Sequence, residues 1–185
     1  MSAKNTSRRK FLKNTTMAAA ATALLPDLLF AENSFVRSTM IRPLEKVNLA
    51  CIGIGNRGQQ IIEEFAKTGM VNIVALCDVD MGAPQTQKII SQFPQAKRFQ
   101  DFRQMFDKIG NEIEAVCIGT PDFSHFPITM MAMALGKHVY VEKPMARTFN
   151  EVELMIRGAE KYDKVVTQMG NQGHSEGNYF QFKTW

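Results

Sequence analysis

The sequence predicts an α/β fold built on a doubly wound parallel sheet. Short apolar runs alternate with amphipathic stretches from Val47 to Met169, a rhythm that needs crossover helices on both faces of a parallel sheet. The first run, Val47 to Ile52, breaks into Gly53-Ile54-Gly55-Asn56-Arg57-Gly58 and then opens into a helical pattern. The second run ends in a carboxylate, Asp78, 20 residues after Gly58.

Each of these features has a physical reading. In Gly-x-Gly-x-x-Gly the first glycine turns the chain sharply off a strand, the second lets backbone approach a pyrophosphate, and the third lets helix pack on strand. The phosphates then face the free N–H groups at the helix N-terminus. Gly53, Ile54, Gly55, Asn56, Arg57 and Gly58 are therefore assigned to a dinucleotide-binding turn. Such spacing alone is weak evidence, because methyltransferases and other nucleotide folds share it, and the context strengthens it. Ile61, Ile62, Phe65 and Ala66 share one face of the following helix, and Asn72 to Cys77 form the next strand. A carboxylate at Asp78 can accept from a ribose 2′-hydroxyl and repels a 2′-phosphate. With Asp80 close by and no Arg or Lys before Lys88, the sequence favours NAD over NADP. The plainer alternative is that Asp78 caps a strand end.

Further along, a helix is expected near Gln85 to Phe93 and a short edge strand near Ala96 to Phe99. Asp101 reads as an N-cap ahead of a stripe of Phe102, Met105, Phe106 and Ile109 at i, i+3, i+4 and i+7. The strand Ala115 to Gly119 runs into Thr120-Pro121-Asp122. The helix beyond it is expected to bury Ile128, Met131, Ala132 and Leu135 and to stop at Gly136. His138 to Val141 form the next strand. Asn150 and Glu153 then read as a capping-box-like pair, with Phe149 and Leu154 as a staple and Val152, Met155, Ile156 and Ala159 as the stripe. Val165 to Met169 make a sixth strand.

Composition narrows the function classes. The 185 residues carry a formal net charge of +4, but five basic residues and one acidic residue fall within the first 31, and the remainder balances. That balance removes the case for nucleic-acid binding. The three cysteines, Cys51, Cys77 and Cys117, each fall in an apolar strand run and read as small buried hydrophobes. No Cys/His cluster suggests a metal.

Residues 1–31 open with Ser7-Arg8-Arg9-Lys10-Phe11-Leu12-Lys13, followed by an apolar run from Met17 to Leu25 and a small residue at Ala31. This segment resembles a twin-arginine export signal, which implies the twin-arginine machinery as a partner and a periplasmic protein folded before export. If the leader is retained it would act as a membrane anchor. The apolar run is far short of the roughly 20 residues that span a bilayer. Residues 32–46 read as a linker and 47–169 as the nucleotide-binding domain. Residues 170–185 read as the start of a further domain, because Tyr179, Phe180, Phe182 and Trp185 need a covering surface.

Four segments resemble the Gfo/Idh/MocA oxidoreductases: Gly53 to Gly58, Asp78-Val79-Asp80, Thr120 to His125, and Gly136-Lys137-His138-Val139-Tyr140-Val141-Glu142-Lys143-Pro144. Glu-Lys-Pro directly after the fifth strand is the most specific of them. The resemblance implies a Rossmann-like sheet with the nicotinamide at the carboxyl ends of its strands, and sugars or polyols as substrates. By the same resemblance Lys143 is catalytic, holding a substrate hydroxyl and easing its deprotonation, especially where burial assists. Glu142 would orient that lysine or the cofactor ribose, the Lys143-Pro144 bond is expected cis, and Thr120 and Pro121 would line the cofactor. His125 is assigned to the cofactor, with a satisfied structural histidine as an equal alternative. The stretch Gln168 to Ser175 is similar to exported bacterial members; on it Asn171 is assigned to the cofactor and His174 to the substrate. Family members continue into a mostly antiparallel domain that supplies further proton-transfer groups, and homo-oligomers are expected at full length. Competing classes are an NAD-dependent glycosidase on the same fold, disfavoured by Glu-Lys-Pro, a non-enzymatic ligand sensor, and remotely a methyltransferase.

Overall fold

The structure, a computed structural model, describes residues 46–175. The export signal of 1–31, the linker up to residue 45 and the aromatic tail from Tyr179 to Trp185 lie outside the described residues. Six strands alternate with helices: β1 Val47–Ile52, α1 Asn56–Lys67, β2 Val71–Cys77, α2 Pro84–Gln92, β3 Lys97–Phe99, α3 Phe102–Ile109, β4 Ala115–Ile118, α4 His125–Ala134, β5 His138–Val141, α5 Phe149–Lys161, β6 Thr167–Met169 and a final turn of helix, α6 Gln172–Ser175. Every strand pair is parallel, in the order β3-β2-β1-β4-β5-β6. The chain therefore leaves β1 toward one edge and β4 toward the other, which opens a crevice between their carboxyl ends.

Alternation along β1 explains why both faces are covered. Leu49 and Cys51 point into one core with Ile61 and Ile62 of α1 and Ile89 and Ile90 of α2. Ala50 and Ile52 point into the other, with Met105, Phe106 and Ile109 of α3, Ile128 and Met133 of α4 and Met155 of α5. Each fully buried Leu, Ile or Met is worth about 1.5–3 kcal/mol, so the two cores carry most of the fold's stability. Among the described residues no helix is long and apolar enough to cross a membrane.

Three local expectations are corrected. The first concerns α4, whose buried face is Ile128, Thr129, Ala132 and Met133, while Leu135 is exposed and Met131 only partly covered. Its sequence is apolar almost all round, so periodicity could not choose the face. Instead α5 chooses it by crossing closely at Gly158, where a Cβ would lie 2.8 Å from Met133 Cε. The second concerns the cap of α5, which is Thr148 with Glu151 rather than Asn150 with Glu153. Thr148 Oγ1 accepts from the Glu151 N–H at 3.3 Å and Glu151 Oε2 accepts from the Thr148 N–H at 3.0 Å. Both pairs have capping-box spacing, and the helix begins early enough to use the first. The third is the staple: Phe149 is 85% exposed and Leu154 38%, so neither closes that end. Asp101 caps α3 as expected, accepting from the Arg103 N–H at 2.9 Å.

All three cysteines are free and buried. Burial pushes their thiols up, that of Cys77 to about 12. An unfolded thiol ionises near about 8.5. Above that pH the unfolded chain sheds protons that the folded chain keeps, so stability should fall as pH rises from about 9 toward 12. Thermal unfolding across that range checks the sign. A thiol reagent should leave all three unreacted until denaturant is added.

Candidate functional site

The site forms where β1, β2 and β4 end. Gly53 sits at φ +78°, a left-handed conformation that suits glycine, and a Cβ there would lie 2.6 Å from the Thr120 nitrogen. A Cβ on Gly58 would lie 1.8 Å from the Gly53 carbonyl oxygen, and one on Gly119 would lie 2.6 Å from Gly58 Cα. Helix α1 thus rests directly on the backbone of two strand ends. Gly119 lies outside the glycine motif, and its place at the end of the strand facing the turn is the signal that marks it.

Gly55 caps α1 without a side chain, so the first N–H groups of the helix are left for a ligand. Asn56 and Arg57 follow on the same lip. Ile54 is fully buried, and its contribution is a backbone N–H donated to Asp78 Oδ2 at 2.9 Å. Asp78 Oδ1 accepts from the Asp80 N–H at 3.1 Å. A carboxylate has about four lone-pair sites, so two remain for ribose hydroxyls.

Above these groups lies a cleft of about 610 Å³ lined by Gly55, Asn56, Arg57, Asp78, Thr120 and Pro121 among others. That volume lies within the usual range for ligand sites. The Thr120 hydroxyl oxygen is buried with no hydrogen-bond partner among the described residues. An uncapped helix start, an open carboxylate and an orphaned hydroxyl around one crevice fit a dinucleotide.

The Glu-Lys-Pro segment adjoins this cleft through Arg57. Glu142 is 3% exposed, and its Oε1 accepts from Arg57 Nε at 3.2 Å and from a terminal guanidinium nitrogen at 3.0 Å. Its Oε2 accepts from the Lys143 N–H at 3.2 Å. Gly170 leaves the carboxylate no spare room, since a Cβ there would lie 2.7 Å from Glu142 Oε1. Burial, and then the Glu142 charge, push the neighbouring Tyr140 phenol up. The Lys143-Pro144 bond is cis.

Lys143 itself is exposed. Asn171 and His174 are also exposed, on and just before α6. Lys143, Asn171 and His174 do not line the cleft.

His125 is 1% exposed, with Nδ1 2.7 Å from the Pro144 carbonyl oxygen and Nε2 2.8 Å from that of Thr120. Both ring nitrogens lie against backbone carbonyls, which is the geometry of the structural alternative. The ring pins the loop after β4 to the loop after β5, so its effect on the site is indirect. His125→Ala removes that pin and empties the space of a buried ring. The expected cost is about 2–4 kcal/mol in urea unfolding.

The model of the oxidoreductase family GFO_IDH_MocA, NAD-binding Rossmann fold, matches residues 47–169. The chain belongs to this family. A Shewanella sp. (strain ANA-3) protein named glycosyl hydrolase family 109 protein 2 is 28% identical over 180 residues, covering 89% of this chain and 39% of that protein. A Bacteroides fragilis α-N-acetylgalactosaminidase is 34% identical over 125 residues, covering 64% of this chain and 29% of the relative. The solved scyllo-inositol dehydrogenase of Lactobacillus casei, with bound NAD(H) and scyllo-inositol, has a TM-score of 0.65 at 21% identity. That match covers 76% of this chain and 40% of the relative. The chain thus spans about two fifths of the length of such relatives. As a member of an NAD-binding Gfo/Idh/MocA family, it takes NAD as its cofactor.

Proposed function

We propose that this chain is the cofactor-binding part of an NAD-dependent oxidoreductase acting on a CH–OH group of a sugar or polyol. The observation that carries the reading is the link between the dinucleotide turn and Lys143: Arg57 of the turn holds Glu142, and Glu142 holds the Lys143 backbone. Gly53 to Gly58, Asp78 and Thr120 would hold NAD, which when bound supplies the hydride acceptor. Lys143 would hold the substrate hydroxyl and stabilise the negative charge that grows on its oxygen. His174, on the turn after β6, is the next candidate to touch the substrate. Export through the twin-arginine route and assembly into homo-oligomers belong to the same proposal.

The names of the curated relatives favour a second reading, a glycosidase that oxidises its sugar transiently and returns the hydride. One assay separates the two. The full-length protein is mixed with NAD and a panel of polyols, free sugars and aryl glycosides, and both nicotinamide absorbance and released phenol are followed. NADH that accumulates in step with substrate supports the dehydrogenase. Phenol release without net NADH, lost in Lys143→Ala, supports the glycosidase. If neither signal appears across the panel, hydride transfer on sugars is the wrong reading.

A further inference from the structure

The wall of the cleft beyond Asp78 is built by two strand ends. Phe99 of β3 pairs with Cys77 of β2, and the Asp78 N–H donates to the Phe99 carbonyl at 3.1 Å. The residues that follow each strand, Asp78-Val79 and Gln100 to Arg103, therefore line one crevice, and Gln100 Nε2 donates to the Val79 carbonyl at 3.1 Å to hold the two sides together. Along the chain, the carboxylates of Asp78 and Asp80 favour NAD and no cation stands between Asp78 and Lys88. The fold brings one to the cleft from further on, Arg103.

We propose that Asp101 and Arg103 set the preference for NAD over NADP, Asp101 engaging the guanidinium that would otherwise clamp a 2′-phosphate. Asp101 Oδ1 accepts from Arg103 Nε at 3.1 Å while also accepting the Arg103 N–H at 2.9 Å. The guanidinium carbon lies 5.1 Å from the centre of the Phe102 ring, so the cation rests on an aromatic face as well. The other cation lining the cleft, Arg57, is held by Glu142. A substituent on the ribose hydroxyl that Asp78 accepts from meets this wall. A phosphate there faces the carboxylates of Asp78 and Asp101, with Arg57 and Arg103, the two guanidinium groups that line the cleft, each already engaged by a carboxylate. An exposed ion pair is individually weak, so Asp101 acts as a competitor and a repulsive charge rather than as a lock. The proposal rests on the cofactor assignment and adds to it two residues outside the glycine motif.

The test is a pair of binding titrations, NADH and NADPH, followed by nicotinamide fluorescence on the full-length protein and on Asp101→Asn. Asparagine keeps an N-cap oxygen, so α3 retains its start while the charge is lost. The wild-type protein should bind NADH more tightly than NADPH. Asp101→Asn should tighten NADPH by about fivefold and move NADH by less than about twofold. Adding Arg103→Ala should reverse the gain. An unchanged NADPH affinity in Asp101→Asn overturns the proposal, as does a gain that survives Arg103→Ala. If the wild-type protein binds neither dinucleotide, the cofactor assignment fails and takes the proposal with it.

Discussion

Gly58→Ala is expected to cost about 3 kcal/mol or more and to abolish dinucleotide binding. The new methyl carbon would lie 1.8 Å from the Gly53 carbonyl oxygen and 2.8 Å from the Gly53 carbonyl carbon. Both are backbone atoms of the turn, so no side chain can move aside to make space. Helix α1 must lift off β1, and its free N–H groups move away from where a pyrophosphate would sit. The matching control is Gly110→Ala, where an added Cβ meets nothing within 4 Å and the backbone is helical. That variant should stay close to wild type. Urea unfolding and an NADH titration on both variants check the pair, and a Gly58→Ala protein with wild-type stability would show that helix and strand are not packed as described.

The second large effect is expected at Arg57→Ala. Glu142 keeps its place in the interior because a guanidinium faces it, and a buried carboxylate without that partner costs about 3 kcal/mol. Arg57 also donates to Gln60 at 3.0 Å, a surface contact that contributes little. Most of the loss should therefore trace to Glu142, which a double-mutant cycle can read. Arg57→Ala/Glu142→Gln should recover a large part of the stability lost by Arg57→Ala alone, because the stranded charge is gone. If the double variant is as unstable as the sum of the singles, the pair does not couple the turn to the lysine segment.

Strong periodicity and glycine spacing made the sheet legible from sequence. Gly53, Gly55 and Gly58 fix a strand, a turn and a helix start within a dozen residues, and Asp78 closes the unit. The face of α4 was not legible because its chain is apolar on every side, and the cap of α5 was not because two pairs with capping-box spacing overlap. For the site, the order of residues showed that Arg57 and Glu142 matter but not that they touch. They are 85 residues apart, and only the sheet order brings them together. Arg103 escaped for the same reason: a search along the chain from Asp78 stops well before it, while the pairing of β3 with β2 sets it beside the same cleft. His125 looked like a cofactor contact on its position after the Thr-Pro-Asp turn, and its burial between two carbonyls becomes visible only when the loops after β4 and β5 are seen together.

The most direct test of the account is a crystal structure of the full-length protein with NADH. The account predicts the pyrophosphate on the N–H groups that follow Gly55, the adenosine ribose on the Asp78 carboxylate, and the nicotinamide end directed toward Thr120 and Lys143. A dinucleotide bound away from the Gly53 to Gly58 turn, or with its ribose hydroxyls out of reach of Asp78, would contradict it.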